Sequence, residues 1–249
     1  MLICQPGHCG RCYSFEDLRL DSPAALLCSV EFLMTLYIPE RSVVPKSEFD
    51  DPIDYYYRPL TRRVYRDRLE NSLSMLGDAR SASLLEVGYG SGLLLPELSR
   101  RTRRLVAIDI HGQADDVYRM LEHEHVEAKL VKGSLYEMPF DDGEFDALAC
   151  ISVLEHLTDL DAAFHEFARV TRPGAALALG FPVRNPITDS FFRLVGYRPR
   201  QLHPSSHRDI ERAIQRQPKL LLDQVRTYPA HLPADFSLYY SCRCIRIAQ

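Results

Sequence analysis

One stretch decides the fold of this chain: Leu84-Leu85-Glu86-Val87-Gly88-Tyr89-Gly90-Ser91-Gly92. Its first four residues are typical of the end of a buried strand, and the apolar residues Leu93-Leu94-Leu95 that follow begin a helix. Glycine lacks a Cβ atom and adopts positive φ easily, so three alternating glycines predict a turn that passes close to a ligand. A helix that begins directly after the turn points unpaired N–H groups at that ligand. The stretch therefore predicts a nucleotide-type site at the carboxyl edge of a parallel sheet.

The spacing of the glycines argues against one class of nucleotide site. A dinucleotide-binding turn has the pattern G-x-G-x-x-G, and counted from Gly88 its third glycine would fall at Leu93. The chain instead has an acidic residue followed by G-x-G-x-G. A second apolar run begins at Arg104 and ends in Asp109, where a carboxylate can accept both hydroxyls of a ribose. An oxidoreductase is therefore the last of the candidate functions.

Strand and helix patterns alternate along the rest of the chain. The predicted strands are Ser83–Val87, Arg104–Asp109, Val126–Lys132, Phe145–Ser152, Ala175–Phe181, Leu220–Tyr228 and Ser237–Ile247. Helical stretches separate the first three, and the helix Thr158–Thr171, between the fourth and fifth, has the apolar stripe of a helix that faces a sheet. The last two strands follow one another without a long helix, which suits an antiparallel final strand. We predict an α/β fold with a seven-stranded, mostly parallel sheet.

Helices are also predicted before the first strand. Asp21-Ser22-Pro23 begins a helix that runs to about Tyr37 and is apolar on nearly every face, as expected of a core helix, a dimer interface or a lid. A second helix is predicted from Thr61 to Leu76. We divide the chain into residues 1–80, an N-terminal extension with a helical lid, and residues 81–249, a domain with an insertion at about 183–207.

Charge and cysteine content restrict the partners. The net charge of −4 and the pI near 6.1 do not indicate nucleic-acid binding. Arginines and histidines are frequent between Arg184 and Arg212, and form either a substrate-attracting surface or a solvated face. Cys4, Cys9 and Cys12 allow a metal site, but no second cysteine pair of zinc-site spacing is present. We therefore expect no metal, reduced thiols and a cytoplasmic location.

Further motifs resemble a known family. The stretches Lys132–Phe140 and Ile151–Leu157, in order with the glycine turn and Asp109, resemble the class I S-adenosyl-L-methionine (SAM)-dependent methyltransferases over about Leu84 to Phe181. Leu-Glu-His within the second stretch is similar to the small-molecule, quinone-methyltransferase-like branch. The resemblance implies a Rossmann-like fold with an N-terminal helical extension, and SAM as the cofactor.

The resemblance also implies roles for individual residues. The glycine turn would lie against the amino-acid part of the donor, and Glu86 near its ammonium. Asp109 would bind the ribose, unless it only caps the next turn, and Ile110 would lie beside the adenine. The full set of implied donor-binding residues is Tyr56, Tyr57, Glu86, Gly88, Tyr89, Gly90, Gly92, Asp109, Ile110, Gly133, Ser134, Leu135, Ile151 and Ser152.

Three of these assignments leave alternatives open. The family commonly has aspartate where this chain has Ser134, whose hydroxyl accepts a hydrogen bond without a charge. Either Tyr56 or Tyr57 would contact the donor, or both only pack within the helical extension that precedes the first strand and covers the site. His156 is a candidate general base, since imidazole titrates near neutral pH, or it holds its loop by hydrogen bonds.

The function implied is methyl transfer to O, N or C of a small organic acceptor. An apolar helix and tyrosines over the site suit an aromatic or lipid-like molecule. Two alternatives are methylation of RNA or protein, and a SAM-binding module without catalytic activity. We expect a small-molecule substrate, no nucleic acid, no transmembrane segment, because the longest apolar run is too short, and we consider a homodimer.

Overall fold

The computed structural model describes residues 36–46, 52–183, 185 and 204–248, and it confirms the predicted fold class. Seven strands form one sheet in the order β3-β2-β1-β4-β5-β7-β6. All strands run in the same direction except β7, which is antiparallel to both β5 and β6. The strands are β1 (Ser81–Val87), β2 (Thr102–Asp109), β3 (Lys129–Lys132), β4 (Phe145–Ile151), β5 (Thr171–Pro182), β6 (Leu220–Tyr228) and β7 (Tyr239–Arg246).

Five α-helices are described along the chain. They are α1 (Arg62–Leu73), α2 (Leu95–Arg101), α3 (Ala114–His123), α4 (Leu160–Val170) and α5 (His207–Arg216). Short 3₁₀ helices cover Ile53–Tyr56, Ser74–Leu76, Leu154–His156 and Ala234–Phe236. The predicted helix to Leu76 is thus α1 followed by a 3₁₀ turn. Strand β3 begins three residues later than predicted, because His125 has a φ of +54° and the Val126 N–H donates to the Leu121 carbonyl, which closes the end of α3.

The main core fixes the strand ends in place. Its buried apolar side chains come chiefly from β4, β5, β7, α4 and α5. Phe164 and Phe167 of α4 pack edge to face with ring centroids 5.7 Å apart, and both are fully buried. The N-terminus of α5 has a capping box in which the side chains and N–H groups of Ser206 and Asp209 bond reciprocally. The frame around the sheet is therefore closely packed.

The site is set by the strand order. The chain proceeds from β1 outward to β2 and β3, then returns to place β4 on the other side of β1. In sheets of this kind, ligands bind outside the carboxyl ends of the strands at the point where the order reverses. The carboxyl ends of β1 and β4, with that of β2 beside them, are therefore the place to examine.

Several predictions concern residues at the limits of the description. Contacts divide the chain into two compact units, Met1–Leu36 and Tyr37–Gln249. The predicted lid helix and the N-terminal cysteines lie outside the described residues, except that Leu36 and Tyr37 are not helical. Helix α1 packs against β5 and β7, although the sequence assigned it to the extension; the boundary near residue 80 stays a prediction. Within the described ranges, no helix has the length and apolar character needed to cross a bilayer.

Candidate functional site

The glycine turn after β1 has a backbone that few other residues adopt. The angle φ is +80° at Gly88, +49° at Gly90 and +77° at Gly92. A Cβ atom on Gly88 would lie 2.3 Å from Val153 Cγ2, and one on Gly92 would lie 2.6 Å from Val117 Cγ1. Such distances are too short for non-bonded carbon atoms, so close packing inside the protein is a second reason for these two glycines. The sequence had suggested only the approach of a ligand.

Asp109, at the end of β2, is directed at this turn. Its Oδ2 atom accepts a hydrogen bond of 2.8 Å from the Gly90 N–H. Its Oδ1 atom accepts bonds from the N–H groups of Ile110, at 2.7 Å, and His111, at 3.4 Å. The side chain is 11% exposed, and a carboxylate has about four acceptor positions, so capacity remains for a ligand. Capping of the following turn and binding of a ribose are therefore compatible roles.

Glu86, the last residue but one of β1, carries a buried carboxyl group. Its Oε2 atom is buried and has no hydrogen bond within the described part of the chain. Burial, with a smaller contribution from the charge of Asp109, raises the pKa of Glu86 to about 8. Unsatisfied buried polar atoms are rare in folded proteins and call for an explanation. A cationic ligand group beside the carboxyl would supply one.

Tyr89 lies between the first two glycines and is also buried. Its hydroxyl has no hydrogen-bond partner among the described residues, and burial raises its pKa to about 12. Its ring packs edge to face on the imidazole of His111, with centroids 4.7 Å apart. Tyr89 therefore joins the glycine turn to the connection that follows β2.

A buried cation that the sequence did not reveal lies on α1. The Arg68 Nη2 atom donates to the Tyr56 hydroxyl at 2.6 Å, and the guanidinium lies over the rings of Tyr65 and Tyr239, at 4.1 and 5.1 Å from their centroids. Its Nε atom is buried and has no hydrogen-bond partner among the described residues. The one available signal was position: Arg68 is three residues after Tyr65, on the buried stripe of α1.

Contacts connect Arg68 to the glycine turn. The Tyr239 hydroxyl lies 3.0 Å from Ser152 Oγ, just beyond the end of β4. Ser152 has a φ of +59°, unusual for a residue other than glycine, and its N–H donates to the Gly180 carbonyl at 2.7 Å. The next residue, Val153, is the one that packs against Gly88. Arg68, Ser152 and the glycine turn thus lie at one edge of the sheet.

The two candidate tyrosines that precede the first strand have different contacts. Tyr56 is buried and hydrogen-bonded to Arg68. Tyr57 donates its hydroxyl to the Pro39 carbonyl at 2.7 Å, and burial raises its pKa to about 12. Only Tyr56 is therefore part of the Arg68 cluster, and Tyr57 is engaged with the preceding segment.

The end of β3 completes the side of the site near Asp109. The Gly133 N–H donates to the Asp109 carbonyl at 2.9 Å. Ser134 is exposed, and its Oγ atom accepts a bond of 3.2 Å from the Tyr136 N–H. Leu135 is half-buried and packs against the main core. The Ser134 hydroxyl keeps its hydrogen free for donation, in contrast to the aspartate that the family commonly has there.

Two isoleucines differ in accessibility. Ile110 follows Asp109 and is 60% exposed, which leaves its side chain open to a flat ligand group. Ile151 is buried at the end of β4. An exposed apolar side chain beside a carboxylate is consistent with the predicted adenine contact, whereas Ile151 can contribute only as part of the wall.

His156 and Glu155 follow β4 in a 3₁₀ turn. The His156 side chain is 44% exposed, and its Nε2 atom lies 3.9 Å from Glu155 Oε1. The Glu155 Oε2 atom is buried without a partner in the described ranges. Burial raises the pKa of Glu155 to about 8, although the charge of Arg68 lowers it in part. Glu155 was not identified from the sequence, since nothing in Leu-Glu-His indicates which side chain turns inward.

The family and the relatives that comparison with known proteins finds are methyltransferases. Residues 85–179 match the family described as "Methyltransferase domain". Ubiquinone biosynthesis O-methyltransferase from Alkalilimnicola ehrlichii is 33% identical over 150 residues, 59% of this chain and 60% of that protein. Malonyl-[acyl-carrier protein] O-methyltransferase from Serratia marcescens is 30% identical over 114 residues, 46% of this chain and 44% of that protein. The chain thus spans less than two thirds of the length of these relatives.

Solved structures share the fold at lower identity. Geranyl diphosphate C-methyltransferase from Streptomyces coelicolor has a TM-score of 0.61 and 17% identity, covering 91% of this chain and 100% of that one. The N-methyltransferase NodS from Bradyrhizobium japonicum has a TM-score of 0.57 and 20% identity, covering 83% and 97%. The seven-stranded sheet has the Rossmann-like α/β fold of these neighbours. Residues 85–179 resemble the methyltransferase domain family, and the chain shares its fold with these two solved methyltransferases.

Proposed function

We propose that this protein transfers the methyl group of SAM to an oxygen, nitrogen or carbon atom of a small organic acceptor. One observation carries the proposal: at the edge of the sheet that holds the glycine turn, the buried Glu86 carboxyl and the buried Arg68 guanidinium each have an atom without a hydrogen-bond partner among the described residues. The methionine part of SAM is an α-amino acid that carries an ammonium and a carboxylate. Glu86 would pair with the ammonium and Arg68 with the carboxylate.

The energetics favour a ligand with both charges. Burying an ionic group without a partner costs several kcal/mol, and a charge-assisted hydrogen bond is among the strong ones in proteins. The Arg68 guanidinium is already held by Tyr56 and by two aromatic rings, so little side-chain entropy is lost when a carboxylate binds. The free protein thus keeps a preorganised cation for that carboxylate.

The nucleoside half of the donor has its own proposed contacts. The remaining acceptor capacity of Asp109 would bind the ribose hydroxyls, and exposed Ile110 would pack on the adenine. Gly133, Ser134 and Leu135 at the end of β3 would border the adenine edge, with the Ser134 hydroxyl offering a neutral bond in place of a charged one. We expect this substitution to weaken the adenine contact and leave its position unchanged.

Methyl transfer requires chiefly that the protein align the methyl group of the donor with the acceptor atom. When bound, SAM would supply a methyl group on a sulfonium centre: the acceptor atom would attack the methyl carbon in line with the C–S bond, which would break and release S-adenosylhomocysteine. The chain's contribution is to hold the donor at the glycine turn and to present the acceptor along that line. For a hydroxyl acceptor we propose that His156, exposed and close to Glu155, takes up the released proton. The alternative, that His156 only stabilises its loop, predicts activity without it.

The class of acceptor is proposed from the tyrosines around Arg68 and from the names of the relatives. Tyr56, Tyr65 and Tyr239 surround Arg68 and give the site aromatic walls, which suit an aromatic or lipid-like molecule. The ubiquinone and malonyl-carrier relatives are both named O-methyltransferases. We therefore favour oxygen as the methylated atom. A cytoplasmic location and a homodimer remain proposals.

Calorimetry followed by a transfer assay tests the proposed function. S-adenosylhomocysteine (SAH) should bind the wild-type protein, and labelled SAM should methylate one of a panel of phenols, carboxylic acids and quinols. Arg68→Met should weaken SAH binding about 10- to 100-fold, through loss of charge-assisted bonds. Arg63→Met, an exposed arginine of the same helix, is the matched control and should bind normally. Absence of SAH binding would refute the proposal, and binding without turnover would indicate a regulatory module.

A further inference from the structure

His111 is a buried residue at the glycine turn that no predicted role uses. It follows Asp109 by two residues, and its side chain is fully buried. Both ring nitrogens have partners: Nδ1 lies 3.0 Å from the Gln113 backbone nitrogen, and Nε2 lies 2.9 Å from the Gly90 carbonyl oxygen. The Gln113 N–H can only donate, so Nδ1 accepts. Nε2 therefore carries the hydrogen and donates it to Gly90, which assigns the neutral ring from the hydrogen-bond network.

With this bond, both backbone polar groups of Gly90 are hydrogen-bonded to side chains. The Gly90 N–H is held by Asp109 Oδ2 at 2.8 Å, and its carbonyl is held by His111. Both of these side chains come from one short segment at the end of β2. Gly90 has a φ of +49°, and a glycine without such contacts samples many backbone conformations. The orientation of the peptide at the centre of the turn is thus imposed by the neighbouring strand.

Asp109, the candidate ribose-binding residue, is also in contact with His111. His111 Nε2 lies 3.6 Å from Asp109 Oδ2, the oxygen atom that bonds to Gly90. The ring is restrained from another side by the edge-to-face contact with Tyr89. Movement of the imidazole would therefore disturb the Gly90 peptide and the Asp109 carboxylate together. Preorganised binding groups gain affinity because less ordering is left for the moment of binding.

We propose that His111 is a positioning residue for the methyl donor, acting through Gly90 and Asp109 and without contacting the donor. This inference rests on the proposed function, because it assumes that the glycine turn and Asp109 bind SAM. His111 then contributes to the affinity for the donor and takes no part in the methyl-transfer step. The bond from Nε2–H to the Gly90 carbonyl is the decisive contact.

Two substitutions separate the two bonds of the ring. Asparagine at 111 can accept from the Gln113 N–H, two residues ahead, as in an Asx turn, but it is too short to reach Gly90. Glutamine at 111 has the longer side chain and an amide N–H that can donate to the Gly90 carbonyl. His111→Asn therefore keeps the local turn and loses the hydrogen bond to the Gly90 carbonyl, whereas His111→Gln keeps a hydrogen bond to that carbonyl.

The expected results are a loss and a rescue. By calorimetry, His111→Asn should bind SAH about tenfold more weakly than wild type, and His111→Gln within about threefold of it. In the transfer assay, KM for SAM should rise in His111→Asn, while kcat at saturating SAM stays within about twofold. A purely structural role would instead lower stability in both variants without this order of affinities.

Three results would overturn the inference. Normal SAH affinity in His111→Asn, or equal losses in the two variants, would show that the Gly90 bond does not govern binding. If the variants do not fold, ¹⁵N spectra of the wild-type ring serve instead: a neutral Nε2–H ring with and without SAH is expected, and an Nδ1–H ring would exclude the proposed bond. A wild-type protein that binds no SAH would refute the proposed function itself, and is thereby distinguished from a failure confined to His111.

Discussion

The Asp109 carboxylate accepts the Gly90 N–H at 2.8 Å, which links the end of β2 to the glycine turn of β1. Asp109→Asn keeps the shape but removes the charge and half of the acceptor capacity. We expect SAH affinity to fall about 10- to 100-fold in calorimetry, because charge-assisted bonds to the turn and to the ribose are both weakened.

The matched control is Asp116→Asn on α3, an exposed aspartate that pairs only with Arg119 in the described structure. It should bind SAH as the wild type does. Unchanged affinity in Asp109→Asn would contradict the ribose assignment, whatever the control shows.

Packing at Gly88 gives a prediction about stability. Gly88→Ala must tolerate both positive φ and a Cβ atom 2.3 Å from Val153 Cγ2, so we expect a loss of about 2–4 kcal/mol in the free energy of unfolding. Gly174 also has positive φ, +89°, but a Cβ atom there meets nothing within 4 Å. Gly174→Ala should therefore cost only about 1 kcal/mol of backbone strain.

Urea unfolding of the two variants measures the difference. Combining Gly88→Ala with Val153→Ala removes the crowded methyl group and should recover part of the loss. Equal destabilisation at the two glycines would mean that positive φ alone, and not the contact with Val153, decides the choice of glycine.

What the sequence could predict was local along the chain. The glycine turn and Asp109 each follow a strand directly, so a strand pattern and one motif were enough to bring them together at one edge. The seven-stranded, mostly parallel sheet and its antiparallel final strand were also predicted, and the structure confirms them.

What the sequence could not predict depends on distant packing. The burial of Arg68 requires α1 to lie against β5 and β7, and one of its aromatic walls, Tyr239, comes from the opposite end of the chain. Tyr56 and Tyr57 are neighbours with equal propensities, and tertiary contacts distinguish them: Tyr56 bonds to Arg68 and Tyr57 to the Pro39 carbonyl. In Leu-Glu-His, the exposed histidine attracted the catalytic interpretation while the buried partner, Glu155, carries the perturbed pKa.

Two buried glutamates should make the free protein less stable as pH rises. Burial raises the pKa of both Glu86 and Glu155 from 4.5 to about 8, so between these values the folded state holds protons that the unfolded state has released. The resulting stability is complete below pH 4.5 and is lost as pH rises through 8. The slope should reach about 1.4 kcal/mol per pH unit for each glutamate.

Urea unfolding at pH 5.5, 6.5 and 7.5 measures this slope. Glu155→Gln cannot ionise and should flatten it by up to half, whereas Glu122→Gln, on the exposed side of α3, should leave it unchanged. Stability of the wild type that increases across this range would be incompatible with two protonated buried carboxyl groups.

Binding of the donor should release the proton of Glu86. The ammonium of SAH beside the carboxyl favours its ionised form and lowers its pKa from about 8, so near pH 6.5 the complex holds fewer protons than the free protein. Affinity should therefore increase with pH by up to about tenfold per unit until pH 8 and then level off. Calorimetry in phosphate and in Tris, which differ in ionisation enthalpy, counts the released protons. Glu86→Gln should release about one proton fewer than the wild type, because its side chain has none to lose. Equal proton release by the two proteins would place the ammonium away from Glu86 and remove one of the two charges on which the donor assignment depends.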